Sequence, residues 1–257
     1  MLTSSRFAYT QARLQVRHGL RLNEQQWRHL ESQQGLANFL HVASESGMSD
    51  WLAGLHADDS IHILEKSFSK HFRDYVEQVS HWQPAQWRKA TLWISVLPDL
   101  PLLENIRNRG EVPQWLSDDE ELGPLLEVSD DALVQRLALT RYAPLTATWH
   151  STTSMLESWR THWKECWPDT SAKALAGVES VEALILCHRG SFMELKTHAT
   201  AAARSELSKQ LGLQFRRLSQ QPAAVFAHLG LVALDVERLR GNVSSRALLL
   251  NSVAAKQ

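Results

Sequence analysis

The chain has 257 residues and is nearly electroneutral, with 27 lysines and arginines against 28 aspartates and glutamates. This length is enough for one large domain or two smaller ones. The balanced charge gives no overall field that would draw the chain to nucleic acid or to an anionic membrane, so we expect partners to be recognised by local surface. Two cysteines are too few for a disulfide framework and no secretory leader precedes them, so free thiols in a reducing, cytoplasmic compartment are expected.

The spacing of apolar residues predicts an all-α, multi-helical fold. Apolar side chains recur three and four positions apart from end to end, and the alternation typical of strands is nearly absent. The clearest helix runs from Ile61 to Val79, with Asp58, Asp59 and Ser60 before it as candidate caps.

Prolines and glycines divide the rest of the chain into helices. Pro84 is expected to open a helix that is so apolar from Trp87 to Leu97 that we predict it to be the central helix. Apolar stripes from Leu207 to Leu218 and from Val225 to Leu239 predict a closing helical pair. A left-handed residue that ends a helix is expected at three glycines, Gly19, Gly110 and Gly241. The longest nearly apolar segment, Ala223 to Leu234, is well short of the ~20 residues that span a bilayer.

The acidic, proline-containing segment from Gly110 to Pro124 is the best candidate boundary between domains. It predicts an N-terminal helical lobe over residues 1–112 and C-terminal helical lobes over residues 113–257, with one continuous domain as the alternative. Residues 22–54 and 116–147 share the order of a polar helix start and two short helices, which predicts repeated helical lobes.

The best candidate metal ligands are His162 and Cys166, which would face the same side of a helix, with Cys187 and His188 elsewhere. No second pair has the spacing of a zinc site. Tryptophans surround the first pair, and this favours Cys166 as a small buried hydrophobe. No metal ligand and no cofactor are therefore predicted.

No segment carries a recognisable catalytic motif. A phosphate-binding glycine loop, a serine-hydrolase elbow and an HExxH pattern are all absent from the sequence. An all-α enzyme that uses dispersed carboxylates, such as Glu65, Asp74 and Glu77 on one helix, is the alternative, although a solvated helix face is favoured. We predict a protein without catalytic residues.

Basic residues and tryptophans offer two kinds of contact. The basic residues form two modest clusters, Arg13, Arg17, Arg21 and Arg28, and Arg204, Lys209, Arg216 and Arg217. Solvated faces or the rims of a protein interface are favoured over nucleic-acid binding, because acidic residues lie nearby. Most of the ten tryptophans are expected in the core, but Trp82, Trp115 and Trp149 lie near helix ends, where they can anchor a partner.

The order of these segments resembles the C-subunit family of V-type ATP synthases, which is related to the d-subunit of vacuolar ATPases. The resemblance rests on the opening helix with Tyr9-Thr-Gln-Ala-Arg13 and Val16-Arg17, on the pair of short helices from Leu22 to Gly54, on the segment from Leu92 to Leu103, on the segment from Leu116 to Tyr142, and on the closing helix from Pro222 to Arg240. Pro98 and Pro101 depart from the family pattern, and residues 150–200 match it poorly.

The resemblance implies a three-lobed helical funnel on the cytoplasmic side of a membrane rotor ring. Such a protein receives the end of the central stalk and transmits torque without doing chemistry, so the implied partners are the stalk and proteolipid subunits of an ion pump, with a peripheral membrane location. A helical interaction or regulatory adaptor unrelated to rotary ATPases is the alternative.

Overall fold

A computed structural model describes residues 2–110, 116–117, 122–126, 130–194 and 200–254. All regular structure in these residues is helical, with eleven α-helices and four short 3₁₀ segments, and the predicted all-α fold is confirmed. The helices are α1 (Leu2–Gly19), α2 (Glu24–Glu31), α3 (Leu36–Ser44), α4 (Ile61–Trp82), α5 (Ala85–Leu92), α6 (Leu100–Arg107), α7 (Asp130–Leu137), α8 (Met155–Glu165), α9 (Ala172–Glu194), α10 (Thr200–Arg217) and α11 (Pro222–Ala254).

The chain divides into two compact units, and the first is discontinuous in sequence. Unit 1 combines Met1–Ala85 with Asp169–Gln257, and unit 2 is Gln86–Pro168. The predicted boundary at residues 112 and 113 lies outside the described residues, and unit 2 includes residues on both sides of it. Helical periodicity does not reveal that the chain leaves one core and returns to it, and for this reason the sequence pattern did not indicate the two crossings.

Unit 1 is built around α11, which packs against α1, α3, α4, α9 and α10. Its first two turns, residues 222–229, are buried on every side. The predicted central helix from Trp87 to Leu97 is wrong, because α5 ends at Leu92 and a 3₁₀ segment with Pro98 follows it in unit 2. The predicted closing pair is confirmed, since α10 packs along α11.

Local signals position the helices of unit 1. Asn23 accepts hydrogen bonds from the backbone of Gln25 and Gln26, and the Gln26 side chain accepts one from the backbone of Asn23, so α2 begins with a complete capping box. Ser60 caps α4 as predicted, through a bond from the backbone N–H of Ile63. Arg246 of α11 donates to the carbonyl oxygens of Glu31 and Gln33, which satisfies the end of α2.

Unit 2 is held by tryptophans whose indole N–H groups reach backbone carbonyls. Trp93 Nε1 donates to the Trp159 carbonyl and Trp159 Nε1 donates to the Trp93 carbonyl, each at 2.9 Å. Trp163 Nε1 donates to the Ala90 carbonyl at 3.0 Å. These bonds join α8 to α5 and its 3₁₀ extension, so the indoles supply both apolar area and the hydrogen bonds that burial requires.

Gly47 and Gly241 differ in the space that is available for a side chain. Gly47 follows α3 where the chain passes the end of α1, and a Cβ atom there would overlap the Leu20 carbonyl oxygen. Gly241, predicted to end a helix, instead lies inside α11 with no atom within 4 Å of a Cβ position. The helix continues past it because Leu239, Val243 and Ala247 are buried on its inner side.

We expect Gly47→Ala to lower the free energy of unfolding by about 1–3 kcal/mol, because a backbone oxygen cannot move away as a flexible side chain does. Gly241→Ala should raise it by about 0.5–1 kcal/mol, since alanine loses less backbone entropy than glycine in an exposed helical position. Urea unfolding of both variants checks this pair. A Gly47→Ala protein as stable as the parent chain would contradict the close approach.

Candidate functional site

The two candidate metal ligands predicted on α8 lie close together in unit 2. His162 Nε2 lies 3.4 Å from Cys166 Sγ, and His162 Nδ1 lies 3.0 Å from Glu165 Oε2. A thiol, an imidazole and a carboxylate in this order are the arrangement by which a cysteine nucleophile is activated.

The surroundings of Cys166 oppose that chemistry. Cys166 is buried and forms the C-cap of α8, and burial raises the pKa of its thiol. The negative end of a helix dipole also disfavours a thiolate. Since the thiolate is the reactive and metal-binding form, Cys166 acts as the small buried hydrophobe expected from sequence.

The other two candidate ligands, Cys187 and His188, lie on α9 in unit 1, whereas His162 and Cys166 belong to unit 2. Within the described ranges no group of three histidine, cysteine or acidic side chains is placed to hold a metal ion. Both cysteines are free thiols, as predicted.

The candidate carboxylates on α4 do not converge. Asp74 and Glu77 are exposed, and Asp74 pairs with Lys70 of the same helix at 2.7 Å. Glu65 instead faces α11, where it accepts a hydrogen bond from Ser244 Oγ at 2.9 Å. The arrangement joins two helices and leaves no pair of acids facing a substrate cleft.

The three tryptophans predicted as partner anchors differ in their positions. Trp149 is 4% exposed and so belongs to the core of unit 2, which makes the anchor prediction wrong there. Trp82 is half-buried at the end of α4, where its carbonyl accepts a bond from Thr10 and the Arg13 guanidinium lies 5.9 Å from its ring. Trp115 lies outside the described residues.

A buried polar cluster joins α1 to α11 in unit 1. Arg21, just after α1, contacts Asp235 of α11 through both carboxylate oxygens, with Nη2 at 3.0 Å from Oδ1. The two side chains are 16% and 10% exposed. Burial raises the pKa of Asp235 even though the Arg21 guanidinium acts to lower it. The pair therefore depends on Arg21 to hold a charge on Asp235.

His228 of α11 lies at the centre of the same cluster and is fully buried. Its Nε2 lies 2.7 Å from the Tyr75 hydroxyl of α4, and its Nδ1 has no hydrogen-bond partner in the described part of the chain. Burial, together with the nearby His18, Arg21 and Arg17, lowers the pKa of His228 to about 3. Burial also lowers the pKa of His18, whose ring contacts that of Phe215 at 4.6 Å. His228 is therefore a neutral core residue at physiological pH, whereas His18 is half-buried beside it.

The opposite side of α1 is exposed although it is apolar. Three large side chains there remain accessible, with Tyr9 55%, Val16 67% and Leu20 49% exposed. Small residues complete the surface, which we call the outer face of α1: Ala8, Tyr9, Ala12, Val16, Gly19 and Leu20. At 3.6 residues per turn these six positions lie within an arc of about 120°. Because Phe7 and Leu14 are buried on the inner side, α1 is apolar on two opposite faces.

Arginines border the outer face. Arg13 Nε donates to the Tyr9 hydroxyl at 3.1 Å, and Arg17 Nη1 pairs with Asp50 at 2.7 Å. The second basic cluster reaches the other edge of α1, since the backbone N–H of Gln220 donates to Gln11 Oε1 at 3.1 Å just after Arg216 and Arg217. The structure thus places Arg13 and Arg17 of the first cluster on α1 and Arg216 of the second near His18 of the same helix, whereas Arg28 lies on α2 and Arg204 pairs with Glu237.

Sequence reasoning found these arginines but missed the outer face. Tyr9, Val16 and Leu20 recur at helical spacing, and that spacing is the signal of a buried stripe. The sequence places a second apolar stripe on α1, with Phe7 and Leu14. This pattern could have indicated the outer face, because a helix that is apolar on most sides is normally covered.

Comparison of the chain with protein-family models, with curated proteins and with solved structures gave no match. None of the helices formed by the described residues combines the length and apolar character that a membrane span requires.

We expect the parent chain to lose stability as the pH falls below about 6.5, the ordinary pKa of histidine, because the unfolded chain binds a proton that folded His228 accepts only near pH 3. His228→Phe should remove about one proton, or roughly 1.4 kcal/mol per pH unit, from the slope of unfolding free energy between pH 5 and 6. Urea titrations at several pH values measure this slope. The exposed His150→Phe variant is the control, and an unchanged slope in His228→Phe would contradict the assignment.

The buried ion pair gives a second prediction. Arg21→Met should destabilise unit 1 by about 3–5 kcal/mol, because Asp235 then remains buried without its partner. The double variant Arg21→Met with Asp235→Leu should recover most of that loss, since no charge is left in the core. Equilibrium unfolding of the two single variants and the double variant completes the cycle. A double variant no better than Arg21→Met would show that packing rather than charge dominates.

Proposed function

We propose that this chain is a non-catalytic structural subunit of a V-type rotary ATPase or ATP synthase, placed between the central stalk and the membrane rotor ring. The observation that carries the proposal is the contrast within unit 1. Buried ionic and polar side chains join helix to helix, whereas the outer face of α1 is apolar and uncovered. A stiff body with a surface that requires a partner is what a component of an assembly needs.

The resemblance to the C-subunit family indicates which kind of assembly we propose. Two of the segments that carry it are the opening helix, with Tyr9, Arg13 and Val16, and the closing helix from Pro222 to Arg240. In the structure the first includes the outer face of α1, and the second is the first part of α11, of which residues 222–229 are buried on every side. The resembling residues thus include both a contact surface and the core that supports it.

The state of the titratable groups supports a role without chemistry. The Cys166 thiol has a raised pKa, His228 is neutral and enclosed, and Asp235 is paired with Arg21. A catalytic acid, base or nucleophile must instead reach a substrate with a pKa near the working pH. In a helical body that transmits force between two partners, these groups have a structural role.

Purification of the tagged chain from gently solubilised native membranes tests the proposal. We expect central-stalk and proteolipid subunits to co-purify in stoichiometric amounts, as measured by quantitative mass spectrometry. The Val16→Glu variant should lose one or both of these partners, while Ile63→Glu, which alters another exposed apolar residue, on α4, should retain them.

A different reproducible partner, with no stalk or ring protein, would overturn the rotary role and favour a helical adaptor. If the Val16→Glu variant retains every partner, the outer face of α1 is not the surface that binds them. Circular dichroism and urea unfolding of both variants ensure that any loss reflects the surface and not the fold.

A further inference from the structure

We propose that the outer face of α1 is the docking site for one amphipathic helix of a partner protein, with an apolar stripe and acidic flanks. The inference deepens the proposed function and rests on it only in requiring that the chain belongs to an assembly. It depends on the shape of the face, on its charge and on a recess at one end.

The shape of the outer face suits a helix. Ala8, Ala12 and Gly19 are small, so the backbone of α1 is accessible between the larger side chains of Tyr9, Val16 and Leu20. Small residues allow two helix axes to approach closely, with the larger side chains of each helix filling the grooves of the other. Val16 lies seven residues after Tyr9 and four before Leu20, so the three follow one line along about three turns.

The same small residues argue against a lipid surface as the occupant. The affinity of an interfacial helix grows with the apolar area that it buries among lipids. Three of the six residues of the outer face contribute little area, and the inner side of α1 is already packed on α4 and α11. A facing helix makes better use of small side chains than a bilayer does.

The charge around the outer face specifies the chemistry of the partner. Residues 2–23 include four arginines and no acidic residue, and residues 207–234 contain three basic residues and no acidic one. Arg17 and Arg21 are neutralised by Asp50 and Asp235. Arg13, Arg216 and Arg217 form no ion pair with an acid in the described part of the chain. Arg13 lies beside Tyr9 at the edge of the outer face, so an acidic residue flanking the stripe of a partner helix would face an uncompensated cation there. Arg216 and Arg217 add to the positive charge of unit 1.

A recess at the Leu20 end offers an anchor point. It has a volume of about 40 Å³, and its lining is partly apolar, with Leu20, Met48 and Trp51, and partly ionic, with the Arg17–Asp50 and Arg21–Asp235 pairs. Interface energy concentrates where a side chain of one partner fills a pocket of the other. Gly47 also lines the recess, at a point where a Cβ atom would overlap the Leu20 carbonyl oxygen.

Binding of designed peptides to the intact chain tests the proposal. The probe is a fluorescent helical peptide of about three heptads with leucine and alanine on its stripe and glutamate on both flanks. The comparison peptide has lysine in place of every glutamate. Fluorescence anisotropy at low and moderate salt gives both affinities, and vesicles with an anionic lipid are tested by co-sedimentation.

We expect the glutamate peptide to bind at least tenfold more tightly than the lysine peptide, with an affinity that falls as salt rises. Val16→Glu and Arg13→Glu should each weaken binding at least tenfold, and Ile63→Glu should leave it unchanged. All three positions are exposed, so folding is expected to be retained.

Three results would overturn the proposal. The first is no binding of the glutamate peptide, or equal binding of the two peptides. The second is vesicle binding that Val16→Glu abolishes, which would assign the outer face to a membrane. The third is a dimer, measured by light scattering, that Val16→Glu dissociates, which would assign it to a second copy. Peptide binding without stalk or ring proteins in the purification would keep the docking site and overturn only the rotary role.

Discussion

The enclosure of α11 is the constraint on which unit 1 depends. From Pro222 to Leu229 this helix is covered on all sides, so no water reaches its polar groups. A polar group there loses the free energy of hydration unless a group of the protein replaces the water. Tyr75 does so for His228 Nε2. Further along the helix, Asp235 binds Arg21, and the partly exposed Arg238 binds Glu31 through two bonds of 2.7 and 3.0 Å. Burial of α11 therefore dictates where α1, α2 and α4 lie.

The same constraint explains why α1 presents a fixed outer face. Arg21 is tied to α11, Thr10 is tied to the end of α4, and Gln11 is tied to the turn between α10 and α11. These bonds define the rotation of α1 about its own axis, so the residues left outside are determined by the core. A surface held in this way loses little entropy when a partner binds, and such preorganisation favours affinity. The polar core and the outer face of α1 are two consequences of one arrangement.

Periodicity predicted local structure well, because it reports which side of a helix is apolar. It predicted the all-α fold, the start and cap of α4, and the pairing of α10 with α11. It failed where the decisive contact is distant in sequence. Pro84 and Pro168 stand at the two crossings between the units, but neither a proline nor helical spacing shows that residues 1–85 and 169–257 share one unit. Gly241 ends no helix because buried neighbours carry α11 past it. Tertiary packing outweighs the roughly 1 kcal/mol preference of a single glycine.

The candidate functional residues could likewise be predicted only in part. The spacing of His162 and Cys166 correctly predicted that their side chains meet, but reactivity depends on burial and on the C-terminal end of α8, neither of which spacing contains. Likewise, Tyr9, Val16 and Leu20 have the pattern of a core stripe, and only the structure shows that α1 already has another stripe inside. A sequence records that a face is apolar, whereas the fold determines whether this chain or another protein covers it. For α1 the chain covers one face with α4 and α11 and leaves the other face exposed, with Arg13 beside it.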